Sequence, residues 1–220
     1  MNYSELTAAI EAYTENTETN FVAEIPVFVK QAEQRIYNSV QFPSIRKNVT
    51  GVMSSGNKYM ACPADFLAVY SMAIFPASGT GDYTYLLNKD VNFIREAYPN
   101  PATTGSPKYY ALFGPQSTNL AELTFILGPT PDANYNAELH YYYYPESIVT
   151  AGTTWLGDNF DTVLLYGSLV EAYTYMKGEQ DMMALYNQKY MEALALAKRL
   201  GDGMERQDAY RSGQFRQAVT

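Results

Sequence analysis

Apolar residues recur at three-to-four spacing near both ends of the chain, while residues 45–154 consist of short apolar runs divided by Gly, Pro, Ser and Asn. A tyrosine-rich run (Tyr141, Tyr142, Tyr143, Tyr144) stops at Pro145 and gives way, past Ala151 and Gly152, to a long apolar-striped helix starting near Trp155. These features predict an α+β protein: a helical bundle formed by the N- and C-terminal helices, with an inserted small antiparallel β-sandwich or barrel. The expected division is discontinuous, 1–44 with 155–220 for the helices and 45–154 for the β domain.

Leu6, Ala9, Ile10 and Tyr13 form a helical stripe introduced by Ser4 and Glu5 and ended by the polar run from Glu15 to Asn20. A longer stripe follows at Phe21, Ile25, Val29, Ala32, Ile36 and Val40. Pro26 would be tolerable in its first turn, where no helical N–H is lost, and Glu33 and Arg35 are expected off the apolar face. Pro43 stops this helix. RKNVTGVM, NKYMACP and FLAVYSMAIF then read as strands, Gly79 to Asp82 as a turn, and YTYLL as a short extended piece. KDVNFIREAY (89–98) predicts a short helix closed by Pro99 and Pro101, and KYYALFG (108–114), ELTFILG (122–128) and YNAELHYYYY (135–144) predict further strands. After Gly157 a helix is expected with Phe160, Val163, Leu164, Gly167, Val170, Glu171, Tyr173 and Met176 on its stripe and a stop at Lys177-Gly178. A last helix carries Met182, Leu185, Tyr186, Tyr190, Leu194 and Ala197 and should close at Lys198, Arg199 and Gly201. At the junction, Trp155 is expected to be buried and to pin the crossover, with Asp158 and Asn159 serving as a cap or first-turn acid.

The 220 residues are 47% hydrophobic and 17% charged, as in an ordinary globular protein. A net charge of −8 argues against a surface that grips nucleic-acid phosphates, which takes clustered Lys and Arg. Cys62 is the single cysteine, so no internal disulfide or cysteine-based zinc site can form, and it is expected as a small buried hydrophobe. The N-terminal run lacks the basic and apolar regions of a signal peptide and no stretch has the roughly 20 apolar residues of a membrane span. A soluble protein outside the Sec route is the expectation.

Catalytic constellations are not apparent. His140 is the single histidine, lies in a strand run and is accompanied by no nucleophile motif. The stretch Gly51 to Lys58 resembles a phosphate loop only loosely, since Asn57 intervenes where Lys should follow the second Gly. Asp158 with Asp161 suits helix N-termini, while Asp202, Glu205 and Asp208 lie in a polar tail; neither set forms a metal motif, and no cofactor or metal is expected. The 21 tyrosines suit sheet packing and protein interfaces better than a ligand face, because their neighbours are acidic rather than basic. Residues 198–220 hold five basic residues (Lys198, Arg199, Arg206, Arg211, Arg216) against three acidic ones (Asp202, Glu205, Asp208), on an otherwise acidic chain. With Tyr210 and Phe215, that tail has the composition of a docking segment for an acidic groove.

Several segments together resemble the head-to-tail adaptor (connector) proteins of tailed bacteriophages: FVKQAEQRIY (28–37), CPADFL (62–67), YTYLLNKDVNFIREAYPNP (83–101), GSPKYYALFGP (105–115), FILGPTPDANYNAELHYYYYPESI (125–148), TTWLGDNFDTVLLYGSLVEAYTYMKGE (153–179) and DAYRSGQ (208–214). Cys62 stands where that pattern would have Leu, a swap of one buried hydrophobe for another. The resemblance implies a structural virion protein and no enzyme: a ring of twelve subunits in the neck, assembled in the host cytoplasm, bound to the portal on one side and to tail or nozzle proteins on the other. Double-stranded DNA would pass through its lumen during ejection without specific binding, and no membrane would be involved. It further implies that residues 202–220, through Arg206, Tyr210, Arg211, Phe215 and Arg216, dock on the portal. The loop with Gly79, Gly81, Asp82 and Tyr83 is assigned to the tail side. A tail-tube terminator or other neck protein is the rival within the same class, and a glycan-binding β module the rival outside it.

Overall fold

The computed structural model describes residues 1–115 and 123–205. It divides into two compact units, Met1–Ile45 with the chain from Tyr144 onward, and Arg46–Tyr143. The stretch 144–154 therefore falls with the helices rather than with the β block, because after Pro145 the chain turns straight into a helical turn.

In chain order the elements are α1 (Tyr3–Thr14), α2 (Thr19–Ser39), β1 (Arg46–Met53), β2 (Tyr59–Ala61), β3 (Ala68–Pro76), β4 (Thr84–Tyr85), β5 (Leu87–Asn88), α3 (Val91–Ala97), β6 (Thr104–Gly105), β7 (Tyr109–Phe113), β8 (Thr124–Gly128), β9 (Thr130–Pro131) and β10 (Tyr135–Tyr142). Four helices follow: α4 (Ile148–Ala151), α5 (Trp155–Asn159), α6 (Asp161–Met176) and α7 (Gln180–Glu205). The N- and C-terminal helices and the inserted strands make an α+β protein, as the periodicities predict.

Helix α1 starts from a capping box at Asn2 rather than Ser4: the Asn2 side chain accepts from the Glu5 N–H, and the Glu5 carboxylate accepts from the Asn2 N–H. Helix α2 begins before Phe21, so Pro26 lies inside it and not in its first turn. Position 26 thus donates nothing to the helix, a loss offset by burial of Phe21, Ile25, Phe28 and Val29 around it. Helix α6 packs against both α2 and α7. Its buried face is Val163, Leu164, Leu165, Ser168, Leu169 and Ala172, rotated away from the expected Val170, Glu171 and Tyr173. Gly167 permits the close packing: a Cβ there would lie 3.2 Å from both Ala32 Cβ and Tyr190 Cε2. The αL residue ending α6 is Lys177 (φ 53°), one before the expected Gly178. Helix α7 continues through Gly201, which is buried where a Cβ would sit 3.1 Å from Val40 Cγ1 and 3.2 Å from the Gln41 carbonyl. Here glycine answers a close approach, so it does not end the helix. Tyr186 is buried among Tyr13, Tyr166 and Tyr173; burial first, then its hydrogen bond with Tyr173, pushes its hydroxyl up to about 12.

The β unit contains two four-stranded sheets, ordered β1-β10-β3-β4 and β2-β8-β7-β5, and a small pair β6-β9. β10 is central to the first sheet, running antiparallel to β1 from Arg46↔Tyr142 to Met53↔Tyr135, with a bulge opposite β3 at His140/Tyr141. Ala137, Leu139 and Tyr141 point inward from it, and they share one core with Met72 and Ile74 of β3, Tyr110 of β7 and Phe125 and Leu127 of β8. A core drawn from both sheets makes the unit a sandwich. α3 covers the other side of the second sheet through Ile94, against Ala111 and Ile126, so every residue of β8 is buried and after Thr124 its sequence shows no polar alternation. Within this largely antiparallel unit two short pairings run parallel, β5 with β7 and β6 with β9, each over two residues.

Candidate assembly surfaces

The return of the chain from the β unit is fastened by α2. Tyr144 donates its hydroxyl to the Asn38 side chain at 2.5 Å, and Glu33 accepts the Ile148 N–H at 2.9 Å, satisfying a donor at the start of α4. Ser147 caps the same turn, its hydroxyl accepting from Val149 N–H at 3.2 Å. Glu33 was expected on the polar side of α2 but is only 4% exposed. Burial pushes its carboxyl above the ordinary range, while the Ile148 N–H, Ser147 and Lys30 pull the other way more weakly. Beside it lies a cavity of about 290 Å³ lined by Lys30, Gln34, Tyr144 and Ser147 among others. The signal for Glu33 was present in the spacing, since it stands four after Val29 and three before Ile36. Its partner, 115 positions away, was not legible.

Of the junction residues, Trp155 and Asn159 take other roles than expected, while Asp158 is the first-turn acid that was expected. Trp155 is the first residue of α5, 36% exposed, with its ring 5.2 Å from that of Phe42 and 5.5 Å from that of Phe160. It shields the buried Phe42 rather than being buried itself. Thr154, not Asn159, caps α5 by accepting from Gly157 N–H, and Asn159 donates back to the Trp155 carbonyl at 2.8 Å. Asp158 is a first-turn acid, though of the five-residue α5; the long helix α6 has Asp161 in that position. Trp155→Ala is accordingly expected to cost about 1–2 kcal/mol, below the 3–5 kcal/mol typical of a fully buried aromatic. Chemical denaturation followed by far-UV circular dichroism checks this.

The loop after β3 is exposed at Gly79, Gly81, Asp82 and Tyr83. Gly79 and Gly81 adopt φ +77° and +140°, and the Tyr83 ring lies 4.7 Å from that of Phe75. Arg206, Tyr210, Arg211, Phe215 and Arg216 lie outside the described residues. His140 faces outward from β10, its Nε2 3.6 Å from Glu138 Oε1. Among the described residues no group of three or more His, Cys, Asp or Glu could hold a metal ion, and no helix is long and apolar enough to cross a membrane. Cys62 is buried. A polar groove of about 400 Å³ runs along Gln31, Gln34, Arg35 and Asn38 of α2 to Glu171 of α6, where Arg35 and Glu171 form an ion pair.

The family model described as SU10 adaptor protein matches residues 1–217. A comparison with curated proteins finds no match.

Proposed function

The chain belongs to the SU10 adaptor protein family, and from that premise we propose that this bacteriophage structural protein forms the head-to-tail adaptor ring of the virion neck. Twelve copies would bind the portal on one side and tail or nozzle proteins on the other, with the genome passing through the lumen. The observation that carries this reading is the reach of the family match, which spans both units and extends into the C-terminal segment. Net charge supports it, because a subunit whose total charge is −8 has little non-specific attraction for DNA phosphates during ejection. A ring needs two different, complementary faces on each subunit, a use for the many exposed aromatic and aliphatic side chains of both units. Within this reading residues 202–220 dock on the portal and the loop at Gly79 to Tyr83 faces the tail.

Negative-stain electron microscopy of the protein mixed with its portal should show a ring stacked on the portal; a monomer that ignores the portal refutes the reading. The docking assignment is tested by truncation after Glu205, which leaves α7 whole. Loss of portal capture with an unchanged circular dichroism spectrum is expected. Undiminished capture would remove the docking role from the C-terminal segment and leave the ring reading standing.

A further inference from the structure

Helix α7 brings the end of the chain to a polar groove. Gly201 lies against Val40 and Gln41, the two residues that follow α2, and only four residues of α7 come after it. The last helix therefore ends beside the end of α2, where the groove of about 400 Å³ starts at Ser39 and Asn38 and runs back to Gln31. Its lining of Gln31, Gln34, Arg35, Asn38, Ser39 and Glu171 is wholly polar. Gln31, Gln34 and Asn38 follow each other at three-and-four spacing on one side of α2 and are exposed. Among the described residues the amides of Gln31 and Gln34 have no hydrogen-bond partner, and each carries the donors and the acceptor that a peptide unit would match. Beneath the groove lies an unsatisfied group. Tyr190 is 2% exposed and its hydroxyl has no partner among the described residues. The Arg35 guanidinium stands 5.8 Å from its ring centre. Burial pushes the hydroxyl up, Arg35 pulls it down and Glu171 raises it, so the oxygen sits under the ion pair that Arg35 and Glu171 form across the groove. A buried hydroxyl without a partner calls for an atom from outside.

We propose that in the free subunit this groove holds the C-terminal segment of the same chain, residues 206–220, and that docking on the portal draws the segment out. Where α7 ends selects the occupant, because the segment starts within about two helical turns of the groove's mouth. Its length suffices: the amide row from Gln31 to Asn38 is about 11 Å long and takes about four extended residues, out of fifteen available, at about 3.3 Å each. The chemistry agrees. The segment is rich in hydrogen-bonding side chains, with Gln207, Ser212, Gln214 and Gln217, and an extended backbone laid on the amide row meets donors and acceptors in turn. It carries three arginines against Asp208, while the helical unit up to Glu205 carries fifteen acidic residues against six basic ones. The ion pair of Arg35 with Glu171 can take in a carboxylate and a guanidinium together, and the segment supplies both. The competition with the portal rests on the docking assignment made above. A segment held in the groove nine-tenths of the time lowers the apparent affinity for the portal about 10-fold.

The test is photo-crosslinking of the full-length chain with p-benzoylphenylalanine in place of Gln34, applied to an equal mixture of light and nitrogen-15-labelled protein. In the free subunit, cross-linked peptides from 206–220 should carry the same label as α2, and they should vanish when the portal is added. Cross-links of mixed label would give the groove to a second copy, and cross-links that never include 206–220 would leave it without this guest; either overturns the proposal. Gln31→Arg with Gln34→Arg sets two cations where the basic segment would lie, on an exposed side of α2, with circular dichroism checking that the helices persist. This variant should capture the portal at about 10-fold lower concentration than the wild type. Capture at an unchanged or higher concentration overturns the competition. Truncation after Glu205 keeps the two readings apart: undiminished capture by the truncated chain refutes portal docking by the segment, while the cross-links still decide whether the groove holds it.

Discussion

Replacing Phe125 with alanine is expected to lower the stability of the β unit by about 3–5 kcal/mol. Phe125 is fully buried on β8, with its ring edge-on to Phe66 at 5.4 Å and to Tyr110 at 5.8 Å, inside the core that both sheets share. Truncation removes the apolar area of the ring and leaves a cavity that two facing sheets, each held by its own hydrogen-bond ladder, cannot fully collapse. The edge-to-face contacts add to the loss. Because the chain has two compact units, one melting curve need not describe it. Hydrogen exchange followed by mass spectrometry separates them: peptides of β8 and β10 should lose protection, and peptides of α6 should keep theirs. Equal loss in both would mean that the units unfold as one.

The elements most legible from sequence were those governed by local rules. RKNVTGVM became β1 residue for residue, and YNAELHYYYY became β10 as far as Tyr142, because alternation and flanking turn formers act within a few positions. The β unit closes at Tyr143, inside the run of tyrosines and short of the expected 154. The departures share one cause, contact between segments distant in sequence. Gly201 reads as a helix stop, but α7 runs through it because Val40 and Gln41 come too near for a side chain. Trp155 reads as buried on hydrophobicity alone, yet the chain breaks at Phe160 between α5 and α6 and leaves the indole partly outside. The two-residue parallel pairings of β5 with β7 and β6 with β9 leave no periodic trace at all. As to the candidate surfaces, charge segregation between the chain's ends was legible from composition. The fastening of Glu33 to the Ile148 N–H was not, because 115 positions separate the two.

Glu33 separates two kinds of substitution with opposite outcomes. Glu33→Ala is expected to cost about 2–4 kcal/mol, because the Ile148 N–H loses its acceptor in a buried place and the side chain's packing is lost as well. Glu33→Gln keeps an oxygen for that N–H and removes the need to bury a charge, so at pH 7 it should be neutral or stabilising. The pH dependence follows from the raised folded-state value of this carboxyl. Below the ordinary glutamate range both folded and unfolded chains hold the proton and Glu33 favours the fold fully. As pH rises through the folded-state value, the unfolded chain has already released its proton while the folded chain must bury the charge, and that contribution is lost. Urea denaturation of wild type and Glu33→Gln at pH 4 and pH 7 should therefore show an advantage of the glutamine variant that is present at pH 7 and shrinks at pH 4. An advantage growing toward low pH would mean that Glu33 is held ionised by its partners, reversing the role assigned to it where the chain returns to the helices.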